Sequence, residues 1–219
     1  MIYVLSLDNI HKINRIWLGN VMKIILYSAD GSNCSQRVEW ALNYKKTPYQ
    51  RIEVTQDMMH GSYLELSAFG YVPAISIDGY IICESVAIIE CLEELMPNPP
   101  LLGRSLFERA SIREVCEFVN GTIHTPQNRS VLQVIRPDIN EQEKRQLRAD
   151  WISSCLNKLE DRLCLKSAYA VGGSFSAADI FVASIYKKAR YQNKIYLPFY
   201  ERHLDHLRIH EAIESSEPM

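Results

Sequence analysis

No Cys-x-x-Cys pair, no long apolar run and no excess of charge of either sign occurs in this 219-residue chain. The six cysteines, Cys34, Cys83, Cys91, Cys116, Cys155 and Cys164, lie scattered through apolar or helical surroundings. That spacing excludes a zinc ribbon and a dithiol redox motif, and in a chain of this size it reads as reduced, mostly buried thiols. No stretch approaches the ~18 apolar residues of a membrane span, and no basic segment precedes an apolar one at the start. The expectation is a cytosolic protein without a membrane partner. Lys and Arg total 24 against 26 Asp and Glu, so no overall field exists to hold nucleic acid. Nine glycines and nine prolines are too few for a fibrous or low-complexity chain. A 47% hydrophobic content with a net charge of −2 excludes extensive disorder.

What is present divides in two. Residues 23–27 form a short apolar run with β-branched members, bounded by Ser-Ala-Asp-Gly, and read as a buried strand. A helical pattern follows from Ser35 and closes before Thr47-Pro48, and residues 49–54 read as a second strand. Val72-Pro73 precedes two β-rich runs, 74–77 and 80–83, around Asp78-Gly79, which is a strong hairpin signal. Residues 85–95 have helical spacing, with Pro97 beyond. A helix between the first two strands implies a parallel crossover, and the hairpin adds antiparallel strands. This gives an α/β unit over 22–96, a Pro/Gly linker over 97–105 and an all-helical unit over 106–219. Helical periodicity fills 106–132, with a kink expected at Pro126, then 141–165, 177–190 and 198–213. Residues 1–21 show no period and are expected to be a leader or extension outside the core.

Few residues carry obvious chemistry. The first strand runs into Ser28-Ala-Asp-Gly-Ser-Asn-Cys-Ser35, where the first helix begins. Free N–H groups at a helix start stabilise an anion, a thiolate included. Ser32, Asn33 and Ser35 are there either caps or active-site groups, and Cys34 is either inert or reactive. A cis Val72-Pro73 bond would leave the Val72 backbone open to an extended peptide. Glu84-Ser85 opens another helix. Ser176 to Asp179 fits a capping box. Trp151, spaced with Leu147 and Leu159, reads as core, and His124 reads as a packed or cleft-lining residue. On spacing alone, Lys187, Lys188 and Arg190 are a solvated helical face.

Taken together these segments resemble the zeta class of glutathione transferases, which includes maleylacetoacetate isomerases. Ser32-Asn-Cys-Ser-Gln-Arg-Val38 is similar to that class's S-S-C-S-x-R-V motif, with Asn33 and Gln36 departing from its Ser and Trp. Gly121 to Leu132 and Tyr169 to Asp179 resemble two further stretches, with Gly173 where the class often has Asp. The resemblance implies a thioredoxin-like domain followed by an all-helical domain, a homodimer, and glutathione as cofactor. It implies that Ser32 helps ionise the glutathione thiol while Cys34 and Asn33 lie beside it. It assigns Val72 to the cysteinyl backbone, Glu84 and Ser85 to the γ-glutamyl end, and Gln127 and Asn128 to the cleft. Arg37 and Arg190 would meet the substrate, a dicarboxylate such as maleylacetoacetate, which would be isomerised to its trans form. A general transferase conjugating electrophiles, and a non-catalytic binding module, are the competing expectations.

Overall fold

A computed structural model describes residues 22–218; the expectation for the first 21 residues lies outside them. β1 (Ile24–Ser28) alternates buried and half-buried side chains. It pairs in parallel with β2 (Gln50–Glu53) and antiparallel with β3 (Ala74–Ile77), which pairs with β4 (Tyr80–Cys83) in the order β2-β1-β3-β4. The parallel pair follows from the crossover through α1 (Asn33–Tyr44). At the hairpin Asp78 and Gly79 have φ of 48° and 88°, the paired positive values a type I′ turn requires. Asp78 Oδ1 accepts from the Lys23 N–H at 2.9 Å and fastens the turn to the start of β1. A short α2 (Gln56–Met59) and a 3-10 turn (Ser62–Glu65) lead to the Val72–Pro73 bond, which is cis, as is Asn98–Pro99. α3 (Ser85–Leu95) closes the unit.

The helical unit comprises α4 (Leu106–Glu117), α5 (Arg129–Ile135), α6 (Glu141–Glu160), α7 (Ala177–Asn193), α8 (Pro198–Ile209) and a final turn α9 (Glu211–Glu214). The helix expected over 106–132 is not a kinked α-helix. A π-helical segment (Phe118–His124) and a 3-10 turn (Thr125–Gln127) separate α4 from α5. Pro126 lacks an N–H and its ring clashes with the carbonyl four residues back, so the ladder cannot run through; the adjustment begins well before the proline. Such π segments recur at functional sites.

One apolar core crosses both units. Leu26, Ile75, Val38, Leu42, Ile88 and Leu92 pack between sheet and helices, continuous with Ile112, Val119, Ile180 and Phe181. Each such side chain contributes roughly 1.5–3 kcal/mol on burial. α7 is the central rod, buried from Ala177 through Tyr186. Its start is the expected capping box: Asp179 accepts from the Ser176 N–H at 2.9 Å and Oγ at 3.1 Å. Asp179 also takes the Ala170 N–H at 2.7 Å and contacts His203 Nε2 at 2.9 Å. The linker is held by buried Lys45, whose ammonium meets Glu93 at 2.7 Å and the carbonyls of Met96 and Pro99 at 2.6 and 2.8 Å. Glu93 in turn accepts from the N–H groups of Leu101 and Leu102.

Two further expectations change. Trp151 and Leu147 are not core: they are 40% and 38% exposed, and the buried stripe of α6 is Ala149, Ile152, Leu156 and Leu159. The two stripes lie side by side at equivalent helical spacing, so periodicity does not choose between them. Trp151 instead donates its Nε1–H to the Ile123 carbonyl at 3.1 Å, covering the π segment. Nor is the Lys187–Arg190 stretch a solvated face, because α7 is packed on nearly all sides. Lys187 is buried, with Glu217 at 2.7 Å and the Pro218 carbonyl at 3.0 Å. Among the described residues no helix is long and apolar enough to cross a membrane.

Candidate functional site

The site is built on the start of α1, where it faces the π segment and α7 of the helical unit. Ser32 is the N-cap of α1, and its Oγ accepts from the Ser35 N–H at 3.2 Å. Capping uses a lone pair and leaves the hydroxyl hydrogen, which is given to no described residue. The two sequence readings of Ser32 are therefore compatible: one oxygen can cap the helix and donate outward. Asn33 is buried with its Nδ2 unpartnered.

Cys34 crosses the seam, with its Sγ 3.4 Å from His124 Nε2. The tautomer of His124 follows from Gln127. The Gln127 Nε2 donates to the His124 carbonyl at 2.8 Å, which fixes the amide nitrogen on that side. The same nitrogen lies 3.2 Å from His124 Nδ1, so Nδ1 accepts and the ring proton sits on Nε2, facing the sulfur. Burial, then the charges of Arg37 and Lys188, push the imidazole down to about 3. His124 is thus a neutral N–H donor toward Cys34 near neutral pH.

Arg37 lies beneath this group, fully buried. Its Nη1 donates to Asn120 Oδ1 at 2.9 Å and to Ser85 Oγ at 3.5 Å, and its Nε to Ser184 Oγ at 3.3 Å. The guanidinium stacks over Phe181 at 4.3 Å. It joins α1, α3, the π segment and α7 from inside, a different placement from the expected substrate contact. Lys188, one turn beyond Ser184, has burial as the main cause of a pKa lowered to about 8. The ionisable groups acting on it are Cys34, Arg148, Arg37 and Arg129.

The remaining expected residues frame this centre. The N–H and C=O of Val72 bond to no described residue, and the loop is pinned just before them. There the Tyr71 carbonyl accepts from Tyr63 Oη at 3.1 Å and Ser67 Oγ at 3.0 Å. Tyr71 Oη reaches Ser130 Oγ at 2.7 Å across the seam. Glu84 is exposed at the N-cap of α3 with φ 71°, a left-handed conformation that costs a non-glycine residue energy and recurs at ligand sites. Ser85 is buried against Arg37. Asn128 caps α5 without a side-chain bond, half-buried and open to a ligand. Gln127 Oε1 is buried and unpartnered. Arg190 is paired elsewhere: its Nη1 lies 2.9 Å from Glu201 Oε2, on α8.

Buried polar atoms are nearly always paired, yet Asn33 Nδ2, Arg37 Nη2, Gln127 Oε1 and Arg148 Nη1 are not. A polar ligand that binds at backbone edges and helix starts, and is anionic at its reactive end, fits these orphans. Sequence reasoning gave His124 only a minor role and missed Lys188 and Arg148. Arg148 sits one turn before Ile152 on the buried stripe of α6, a stripe that periodicity does not single out.

A thioredoxin-like sheet joined to a helical unit, with a Ser/Cys helix start at the seam, is the architecture of a glutathione transferase. The family described as glutathione S-transferase, N-terminal domain, matches residues 26–100. A probable maleylacetoacetate isomerase 1 of Drosophila melanogaster is 38% identical over 176 residues, covering 77% of this chain and 70% of the relative. The maleylacetoacetate isomerase of Dictyostelium discoideum is 34% identical over 180 residues, covering 77% and 81%. Among solved structures, a bacterial zeta-class maleyl pyruvate isomerase superposes with a TM-score of 0.80 at 26% identity, covering 89% of this chain and 96% of that one. The maleylacetoacetate isomerase of Anaeromyxobacter dehalogenans, with bound dicarboxyethyl glutathione and citrate, gives 0.77 at 25%, covering 91% and 93%. The chain belongs to the zeta-class glutathione transferase family of maleylacetoacetate isomerases.

Proposed function

We propose that this protein is a glutathione-dependent cis–trans isomerase that converts maleylacetoacetate to fumarylacetoacetate. The observation that carries the reading is the start of α1, where the Ser32 hydroxyl keeps its hydrogen while its oxygen caps the helix. Glutathione, held by the residues of this site, would supply a thiolate nucleophile for reversible addition to the cis double bond. Every other task falls to the chain. Ser32 donates to the sulfur and favours its ionised form, and the unpaired N–H groups of the first α1 turn add to that field. Val72 offers one N–H and one C=O to the cysteinyl backbone, while Glu84 and Ser85 hold the γ-glutamyl end. Cys34, with the His124 N–H on its sulfur, lines the thiol pocket, and Asn33, Gln127 and Asn128 supply polar contacts around it. Holding cofactor and substrate in one geometry removes much of the entropic barrier to addition. We further propose a homodimer in the cytosol.

Retention on immobilised glutathione, followed by ultraviolet-monitored isomerisation of the cis substrate with catalytic glutathione, tests the reading. Retention and catalytic turnover support it. Retention with stoichiometric consumption of glutathione by electrophiles, and no isomerisation, would mark a general conjugating transferase. Light scattering on the eluted protein tests the dimer.

A further inference from the structure

The cleft holds cations that the chain itself does not pair. Lys188 makes no hydrogen bond or ion pair with any described residue, and Arg148, 8% exposed, has its Nη1 buried without a partner. Lys188 lies on α7, which packs against α1, α6 and the π segment, and the ionisable groups that interact with it are Cys34 and Arg37 of α1, His124 of the π segment, Arg129 of α5 and Arg148 of α6. None of these is a carboxylate. Around Arg148 the charges acting are Arg129 and Arg145, with only Glu141 opposing them. A buried cation such as Arg148, with half-buried Lys188 acting on the same cleft, is costly without a counter-charge unless an anion enters to pair with it. Arg190, the residue expected to meet the substrate, already has Glu201 as partner.

We propose that Lys188 and Arg148 form the seat for the substrate carboxylate remote from the reacting double bond. This rests on the isomerase reading, in which the reacting carbons lie beside the thiol pocket. Cys34 and His124 are among the groups that interact with Lys188, so a carboxylate held there would set the distance and direction at which the double bond meets the sulfur. Lys188 is the adaptable member and Arg148 the permanently charged one. Because burial lowers Lys188 to about 8, the seat is fully charged below that pH and loses one charge above it.

The test uses the full chain loaded with glutathione and succinate as the carboxylate probe, with succinamide as the uncharged control, by calorimetry. Lys188→Met and Arg148→Met should each weaken succinate about tenfold or more, the loss expected for a hydrogen bond to a charged group. Glutathione should bind as before, and the uncharged succinamide should behave the same in wild type and variants. Lys188→Arg should retain succinate affinity and remove its decline above pH 8. In the isomerase assay the Met variants should raise KM far more than they lower kcat. Circular dichroism confirms that each variant folds. If the wild-type chain binds no glutathione, the isomerase reading fails, and succinate binding to the chain alone still decides the seat. Absence of succinate binding by the wild type, or equal affinity in wild type and Lys188→Met, overturns the proposal.

Discussion

Ser32 performs two tasks with one oxygen, and substitution can separate them. Its Oγ accepts from the Ser35 N–H at 3.2 Å, so Ser32→Ala removes the N-cap of α1 and should cost about 1 kcal/mol of stability. On the proposed mechanism the same change removes a donor to a thiolate, an interaction of about 1.5–3 kcal/mol, so turnover should fall roughly ten- to a hundredfold. Ser32→Asp distinguishes the two. Aspartate caps a helix as well as serine does, so unfolding should return close to the wild-type midpoint. It has no hydrogen to give and brings a negative charge to the sulfur, so turnover should stay as low as in the alanine variant. The pH–rate profile should move upward in both, further for Asp, because the bound thiol ionises later. The assay pairs urea unfolding with isomerisation at saturating glutathione and with ultraviolet titration of the bound thiolate. Full turnover in Ser32→Asp would show that the hydroxyl matters only as a cap, and the reasoning about thiol activation would be refuted.

Other consequences are more compact. Cys34→Ala should weaken glutathione binding more than it slows turnover; an inactive variant beside a normal Ser32→Ala would make Cys34 the nucleophile, read by trapping with a thiol reagent. His124, held near 3 in the fold against about 6.5 unfolded, binds its proton only in the unfolded chain between those values. Stability should therefore fall as pH drops from 6.5 toward 3, and His124→Gln should lose part of that slope in urea titrations at pH 7 and pH 4. Glu93→Ala leaves the Lys45 ammonium buried without its carboxylate and should destabilise by about 3–5 kcal/mol, whereas Lys45→Met with Glu93→Leu should recover much of it in thermal unfolding.

Much of the fold is legible in the sequence because its signals are local. Asp78-Gly79 dictates a hairpin by turn geometry, and the strand–helix–strand order dictates the parallel pair. Ser176 to Asp179 dictates the start of α7. The π segment is not legible, because it answers to a contact distant in sequence: Asn120 receives Arg37 from 83 residues away. The same cause hides much of the site. Ser32, Asn33 and Cys34 stand out at a helix start, but which cations surround them depends on how α6 and α7 lie across α1. Lys188 and Arg190 have the same local character in sequence. Only the placement of Glu201 on α8 pairs Arg190 and leaves Lys188 unpaired.

Arg37 explains why the site lies at the seam. A fully buried guanidinium is tolerated only where several acceptors meet it, and neither unit offers enough alone. Ser85 comes from the α/β unit, Asn120 and Ser184 from the helical unit, and Phe181 supplies the stacking face. Docking the two units is thus what gives Arg37 Nε and Nη1 their acceptors, and the same docking brings His124 to within 3.4 Å of Cys34. The buried charge also acts outward, since Arg37 contributes to keeping His124 neutral and to lowering Lys188. Loosening the interface would therefore retune the cleft even with every cleft side chain intact.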